Sequence, residues 1–406
     1  MTSAVAATPA LFSFADVTAQ AFRSSRELNA LATTHPALRL NAICPYYTMF
    51  PLRFPLRVLG SAAKGQRVLD PFAGRGTTLF AARLLGLACT GIDSSPVASH
   101  LSRAKVSLAS PEEVAALAER ALEVPAPSEE APEGEFWQWA YGPRTLEQIC
   151  RIRGHLLDTS RLGITADNSD AVQLLRALMM GILHGPRTKK LPSYLSNQMP
   201  RTYATKPAAA VRFWEKRGMH PEEVPVLDVV RRRAAFTLVD LPPRVDSFVA
   251  WGDSREVLAR LKATESKPFD WVVTSPPYFG MRSYVPDQWL RNWFIGGSSE
   301  VEYSENGQIG GKSEVEFIEA LATVWREAAE SCTDSAKLVI RFGSLPSLKK
   351  EPAALIRESL QMSGSWKIST IKSAGSAPSG RRQADQFSTT GGYVDEVDVW
   401  ARRVAN

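Results

Sequence analysis

Closely spaced cysteines are missing from this chain. Its four cysteines, Cys44, Cys89, Cys150 and Cys332, stand far apart with no CxxC spacing, and the five histidines are scattered. That excludes a disulfide-stapled scaffold and argues against a zinc site, so no metal is expected and reduced thiols suit a cytoplasmic location. Also missing is any apolar run near the roughly 20 residues that cross a bilayer, so no membrane partner is expected. The opening MTSAVAATPALFSFADVTAQAF has no basic stretch ahead of its apolar residues, which argues against a secretory signal. No internal repeat is present.

What remains is a chain of 406 residues, 44% hydrophobic, enough for one large α/β domain carrying insertions. A formal net charge of +6 and a pI of about 9.1 permit a polyanionic partner and equally suit a solubilising surface. Residues 1–40 carry little signal. Residues 41–58, NAICPYYTMFPLRFPLRV, read as an aromatic, proline-rich covering loop or short helix.

Arg67-Val68-Leu69-Asp70 reads as a short buried strand, TTLFAARLLGL as a helix, and ACTGID as a second strand ending in an acid. Helical character follows over 97–109. A capping box at Ser110–Glu113 opens another helix, which runs to about Glu123 and is followed by a polar linker. FWQWAYGPRTLEQICRIRGHLL and DAVQLLRALMMGILHG have helical periodicity, and 185–212 reads mostly as loop, with a helix from about 207 to 217. Strand patterns return in VDSFVAWGDS, KPFDWVVTSPPY and AKLVIRFG, with a capped helix opening at Ser313–Glu316. SWKISTIKS and YVDEVDVWARR suggest a terminal antiparallel pair. The expected organisation is an uncertain segment 1–40, a cofactor-binding part 41–104, a mostly helical insertion 105–245 and a catalytic part 246–406.

The turn Asp70-Pro71-Phe72-Ala73-Gly74-Arg75-Gly76-Thr77-Thr78 follows a strand and opens a helix. Glycines there admit a close ligand, and helix-start amides accept a carboxylate. Asp93, at the end of the next strand, is placed to bind both hydroxyls of a ribose. Together these suit a nucleoside-linked amino acid. The spacing GxG without a third glycine disfavours a pyrophosphate. Asp253 could accept from an adenine amino group or simply cap a helix.

The sharpest feature is Thr274-Ser275-Pro276-Pro277-Tyr278. Two prolines fix the backbone and leave carbonyls displayed, and the tyrosine offers a flat face to a base drawn out of a duplex. An exocyclic amino nitrogen is a poor nucleophile because its lone pair is delocalised. Acceptors such as Ser275 Oγ and the Pro276 carbonyl would favour a tetrahedral nitrogen, aligned at about 3–3.5 Å with a methyl sulfonium.

These residues resemble the amino-methylating DNA methyltransferases of bacterial restriction–modification systems, most of all those making N4-methylcytosine. DPFAGRGTT resembles their cofactor motif, TSPPY their catalytic motif, and Met49-Phe50-Pro51-Leu52-Arg53-Phe54 the element covering the cofactor's methionine end. The resemblance implies a Rossmann-like class I S-adenosylmethionine-dependent methyltransferase sheet with a mostly helical insertion. It implies S-adenosylmethionine as cofactor, with Phe50, Asp70, Phe72, Gly74, Gly76 and Thr77 around its amino-acid part, Asp93 at the ribose and Asp253 at the adenine. Ser275, Pro276, Pro277 and Tyr278 would hold the target base. The product implied is N4-methylcytosine in duplex DNA. The alternatives are an N6-adenine DNA enzyme, an RNA base methyltransferase, and a DNA-binding module without catalysis. Many TSPPY enzymes place the catalytic loop first, whereas this chain places it last.

Three regions are candidate DNA contacts. One contains Lys189, Lys190 and Arg201. A second, after the catalytic loop, contains Arg282 and Arg291. The third contains Arg381 and Arg382. Arg231-Arg232-Arg233 reads as a solvated face. No nuclease motif is visible, so any cognate restriction endonuclease is expected in a separate chain.

Overall fold

A computed structural model describes residues 35–46, 50–124, 131–159, 169–186, 191–199, 206–264, 267–280, 286–301, 309, 313–343, 351–376 and 395–404. Seven strands form one sheet: β1 Arg67–Asp70, β2 Ala88–Asp93, β3 Ser247–Trp251, β4 Phe269–Thr274, β5 Cys332–Gly343, β6 Trp366–Ser376 and β7 Asp395–Arg403. Their order is β3-β2-β1-β4-β5-β7-β6. The first five run parallel, and β7 runs antiparallel to both β5 and β6. This is the Rossmann-like, doubly wound sheet expected from the sequence, with its terminal antiparallel pair.

The central strands are apolar because both of their faces are covered. Successive side chains point to opposite faces. Val68, Trp271 and Val273 therefore enter one core, while Leu69 and Val272 enter the other. The second core is closed by α10 Ser254–Thr264, α12 Glu314–Glu330 and α13 Pro352–Ser363. The first is larger. It takes in α1 Arg53–Leu59, α2 Thr77–Leu84 and α3 Pro96–Val106. It also takes in helices between β2 and β3, and α11 Trp289–Phe294. Those helices are α4 Pro111–Glu123, α5 Glu135–Ala140, α6 Pro143–Leu157, α7 Asp170–Ile182, α8 Pro207–Glu215 and α9 Val226–Thr237.

Both anticipated capping boxes form. Ser110 and Glu113 exchange side-chain and backbone hydrogen bonds at the start of α4, as do Ser313 and Glu316 at the start of α12. The aromatic helical stretch divides into two. Tyr141 is extended, and Pro143, which cannot donate an amide hydrogen bond, begins the next helix. α9 was not anticipated. Within it Arg231 is exposed and pairs with Glu119, while Arg232 reaches the Pro192 carbonyl, so the arginine run is only partly a solvated face.

Arg83, near the end of α2, is fully buried. Its guanidinium donates to the carbonyls of Lys105 (2.9 Å) and Ser107 (2.8 Å), where the chain leaves α3, and to Pro242 and Pro243, where it returns to β3. One side chain thus fastens both ends of the long β2–β3 connection to the sheet. Replacing Arg83 by Ala leaves four carbonyls short of their donor, and we expect a loss of at least about 3 kcal/mol of stability. Thermal unfolding should show it as a lower midpoint, and the Lys variant, with one compact head instead of a fork, should recover only part of it.

Candidate functional site

The chain leaves β1 for β2 on one side, while β4 lies beside β1 on the other. The crevice between the ends of β1 and β4 is therefore the point where the winding reverses, the usual ligand position in such sheets. The glycine turn follows β1 and the proline–proline–tyrosine loop follows β4, so two motifs some two hundred residues apart in sequence meet at one edge. A hydrogen bond joins them directly, from Thr274 Oγ1 to Asp70 Oδ1 at 2.6 Å.

Asp70 is fully buried. The Phe72 amide also donates to its Oδ1, at 3.1 Å, while Oδ2 has no hydrogen-bond partner. Burial pushes its pKa up to about 6, against the opposing pull of the Thr274 and Thr78 hydroxyls and the Phe72 amide. Gly74 and Gly76 both have positive φ (53° and 77°), and Gly76 caps α2, whose first residue Thr77 is buried. A Cβ on Gly76 would lie 2.8 Å from Ser102 Cα, so the turn can only pack on α3 if this residue is glycine. Ser102 in turn donates to the Gly74 carbonyl at 2.9 Å. The Phe72 ring faces away from the turn and meets Trp325 edge-on, 6.0 Å between centroids.

Asp93 ends β2. It accepts from the Gly74 amide at 2.7 Å through one oxygen and from the Ser95 amide at 2.8 Å through the other. Each oxygen keeps a second lone pair, so the carboxylate can still accept from two hydroxyls. Burial raises its pKa, and those two amides pull the other way. Asp253 follows β3. Both its oxygens are gripped by the Arg255 side chain, and its backbone carbonyl starts α10. The helix-start reading of Asp253 is met, and its carboxylate is taken up by Arg255. Trp251 was missed by sequence reasoning. It pairs in register with Asp93, is 63% exposed, and donates Nε1–H to the Ser94 carbonyl at 3.0 Å. Read as one apolar position of a strand, it gave no separate signal.

At the other wall, Pro276 is buried and Ser275, Pro277 and Tyr278 are half-buried. Tyr278 packs edge-on against Phe342, with centroids 5.5 Å apart, and donates its hydroxyl to Glu396 Oε1 at 2.9 Å. Glu396, the second residue of β7, lies opposite Gly343. The sequence could not nominate it, because only the antiparallel return of β7 brings it there.

The covering element is anchored by charge. Asp398, buried in β7, accepts both arms of Arg341 (2.8 and 2.9 Å) and also Arg57 of α1 (2.8 Å), while the Arg341 guanidinium lies 4.0 Å over the Phe54 ring. Phe54 meets Phe50 edge-on at 5.3 Å. Upstream, half-buried Tyr46 neighbours Asp93 and Ser95, and its phenol pKa is raised, first by burial and then by Asp93.

One candidate DNA contact is corrected. Arg291 is only 1% exposed and donates inward, to the Met180 carbonyl and to Gln288. It ties α11 to α7, while its buried neighbours Trp289 and Trp293 pack on Phe136 and Trp137 of α5. Lys189, Lys190, Arg201, Arg282, Arg381 and Arg382 lie outside the described residues. Among the described residues, no helix is long and apolar enough to cross a membrane.

Residues 23–103 match the DNA methylase family N6_N4_Mtase. The match takes in the covering element, the glycine turn and Asp93, and ends before the TSPPY loop. Among curated proteins no significant match is found. Solved structures match the chain at low identity. The rRNA methyltransferase AviRa from Streptomyces viridochromogenes is 15% identical, over 89% of this chain and 87% of that one, with a TM-score of 0.30. TrmN from Thermus thermophilus is 11% identical, over 91% and 53%, with a TM-score of 0.34. TehB from Haemophilus influenzae is 8% identical, over 86% and 62%, with a TM-score of 0.31. The chain spans about half the length of TrmN and 48% of another methyltransferase solved with SAH. The strand order itself, with β7 reversed between β5 and β6, is that of the Rossmann-like class I methyltransferase fold.

The buried acid gives a pH test. Asp70 has a folded pKa of about 6 against 3.8 for the free group. Its contribution is therefore fully present below about pH 4 and is lost as pH rises through 6. Asp70→Asn keeps an acceptor for Thr274 but does not titrate. Its stability relative to the wild type should rise between pH 4.5 and pH 7 by about 2 kcal/mol. Denaturant titrations of both proteins at the two pH values read this directly, and a constant difference would show that Asp70 is already ionised at low pH.

Proposed function

We propose that the chain is an S-adenosylmethionine-dependent methyltransferase that acts on an exocyclic amino group of a base in DNA, with cytosine N4 as the acceptor. The observation that carries this reading is the meeting of the glycine turn and the Ser275-Pro276-Pro277-Tyr278 loop at the switch point, tied by Thr274 and Asp70. The family match over 23–103 supports the class and is neutral between cytosine N4 and adenine N6. Serine at position 275 favours cytosine.

The residues fit the cofactor. The orphaned Oδ2 of Asp70 suits an α-ammonium, the free lone pairs of Asp93 suit ribose hydroxyls, and the exposed indole of Trp251 beside Asp93 suits a purine face. When bound, S-adenosylmethionine supplies an already activated methyl group, so the protein needs neither a covalent nucleophile nor a strong base for the transfer. Its work is alignment and acceptance. Ser275 Oγ and the Pro276 carbonyl accept from the two amino hydrogens, which localises the nitrogen lone pair. Tyr278 stacks on the base, and its position is held through its hydroxyl by Glu396. A duplex base reaches this crevice only by flipping out.

Incubation with labelled S-adenosylmethionine and duplex DNA, followed by nucleoside mass analysis, should yield N4-methylcytosine. N6-methyladenine, or label confined to RNA, would replace the substrate assignment, and failure to bind the cofactor would point to a non-catalytic DNA-binding protein. Tyr278→Ala should lower kcat by at least tenfold with little change in cofactor affinity. Equal loss of both would remove Tyr278 from the base side of the site.

A further inference from the structure

Beside the glycine turn lies a buried group of cations that no acid among the described residues balances. Arg75, between the two glycines, is 7% exposed; among the described residues it has no hydrogen-bond or ion-pair partner, and its Nε is buried without one. Lys105 on α3 is 1% exposed and has a single neutral partner, Asn41 Oδ1, at 2.8 Å. Burial lowers the pKa of Arg75 to about 10, and burial together with the charge of Arg75 lowers that of Lys105. Cys44 sits among them, with its own thiol raised by burial.

Leaving a charged guanidinium buried without a partner costs several kcal/mol. Solvation would be restored by an anion that enters with a ligand. The placement says which anion. Arg75 belongs to the turn whose Gly74 amide is bound to Asp93, and Tyr46 neighbours both Asp93 and Cys44. Cys44 and Tyr46 thus link the cation group to the Asp93 side of the turn, and on the same turn Asp70 Oδ2 has no partner.

We propose that Arg75, supported by Lys105, is the carboxylate-binding residue for the amino-acid end of the cofactor, opposite Asp70 at the ammonium. The inference rests on the cofactor reading above and adds to it a charge-matched pair for a zwitterion. Asn41 is a positioning residue that holds Lys105 toward the turn.

The test compares two ligands by calorimetry. S-adenosylhomocysteine carries the amino-acid end, and 5′-methylthioadenosine keeps the adenosine thioether without it. Arg75→Gln should weaken S-adenosylhomocysteine by roughly 10- to 100-fold and leave methylthioadenosine unchanged, the loss expected for one charge-assisted contact. Lys105→Met should show the same selectivity with a smaller loss. Retained methylthioadenosine binding doubles as proof that the variants fold. An equal loss for both ligands, or no loss for either, overturns the inference while leaving the cofactor reading intact. Unchanged S-adenosylhomocysteine affinity with weaker, less salt-sensitive duplex binding would reassign the cations to a backbone phosphate. A wild-type protein that binds neither ligand would remove both readings.

Discussion

The pairing of β1 with β4 is the constraint on which the site depends. Only two residue pairs define it, Val68 with Trp271 and Leu69 with Val272. It lies at the middle of the sheet and is buried on both faces, so a slip by one residue would exchange the contents of the two cores. With the register held, both loops emerge at the same edge, and Thr274 reaches Asp70 without any contribution from the loops themselves. The buried Thr274 hydroxyl needs a partner, and in this register it finds one in the Asp70 carboxylate. The polar bond therefore specifies the alignment that the apolar strands make stable.

The same economy governs the long β2–β3 connection. Its helices share one core with α2 and α3, so it packs on the sheet as part of the domain's interior. Arg83 closes it by donating to carbonyls at both of its ends from a single planar fork. The covering element is held in a comparable way from the far side of the molecule, through Asp398 to Arg57 and Arg341. The parts that surround the crevice are thus tethered by charged side chains bonded within the protein, whereas the crevice itself retains polar atoms without partners.

Much of this was legible because the relevant signals are local. Strand–turn–helix patterning located β1, α2 and β2, the S-x-x-E boxes located the starts of α4 and α12, and the double proline marked the end of β4. The parts that were not legible depend on tertiary neighbours. Arg291 reads as one more basic residue beside an active-site loop, and nothing in its sequence surroundings says that α11 turns it toward Met180. Glu396 comes to Tyr278 only through the β5–β7 pairing. Asp253 was weighed as a cap and as an acceptor, and the structure gives it a backbone role and a side-chain partner in Arg255 at once.

The distribution of unpaired groups carries the final step. Proteins pair their buried polar atoms almost without exception, and departures gather where a ligand completes the set. Two of the unpaired buried atoms among the described residues fall on one short turn and have opposite sign: Asp70 Oδ2 at its start and Arg75 Nε in its middle. Either alone could be a strained packing detail. Under the cofactor reading proposed above, the first suits an ammonium and the second a carboxylate, next to an acid with lone pairs left for two hydroxyls. An amino acid joined to a ribose has that order of charges and hydroxyls. A nucleotide, with phosphate where the amino acid would stand, would leave Asp70 facing like charge.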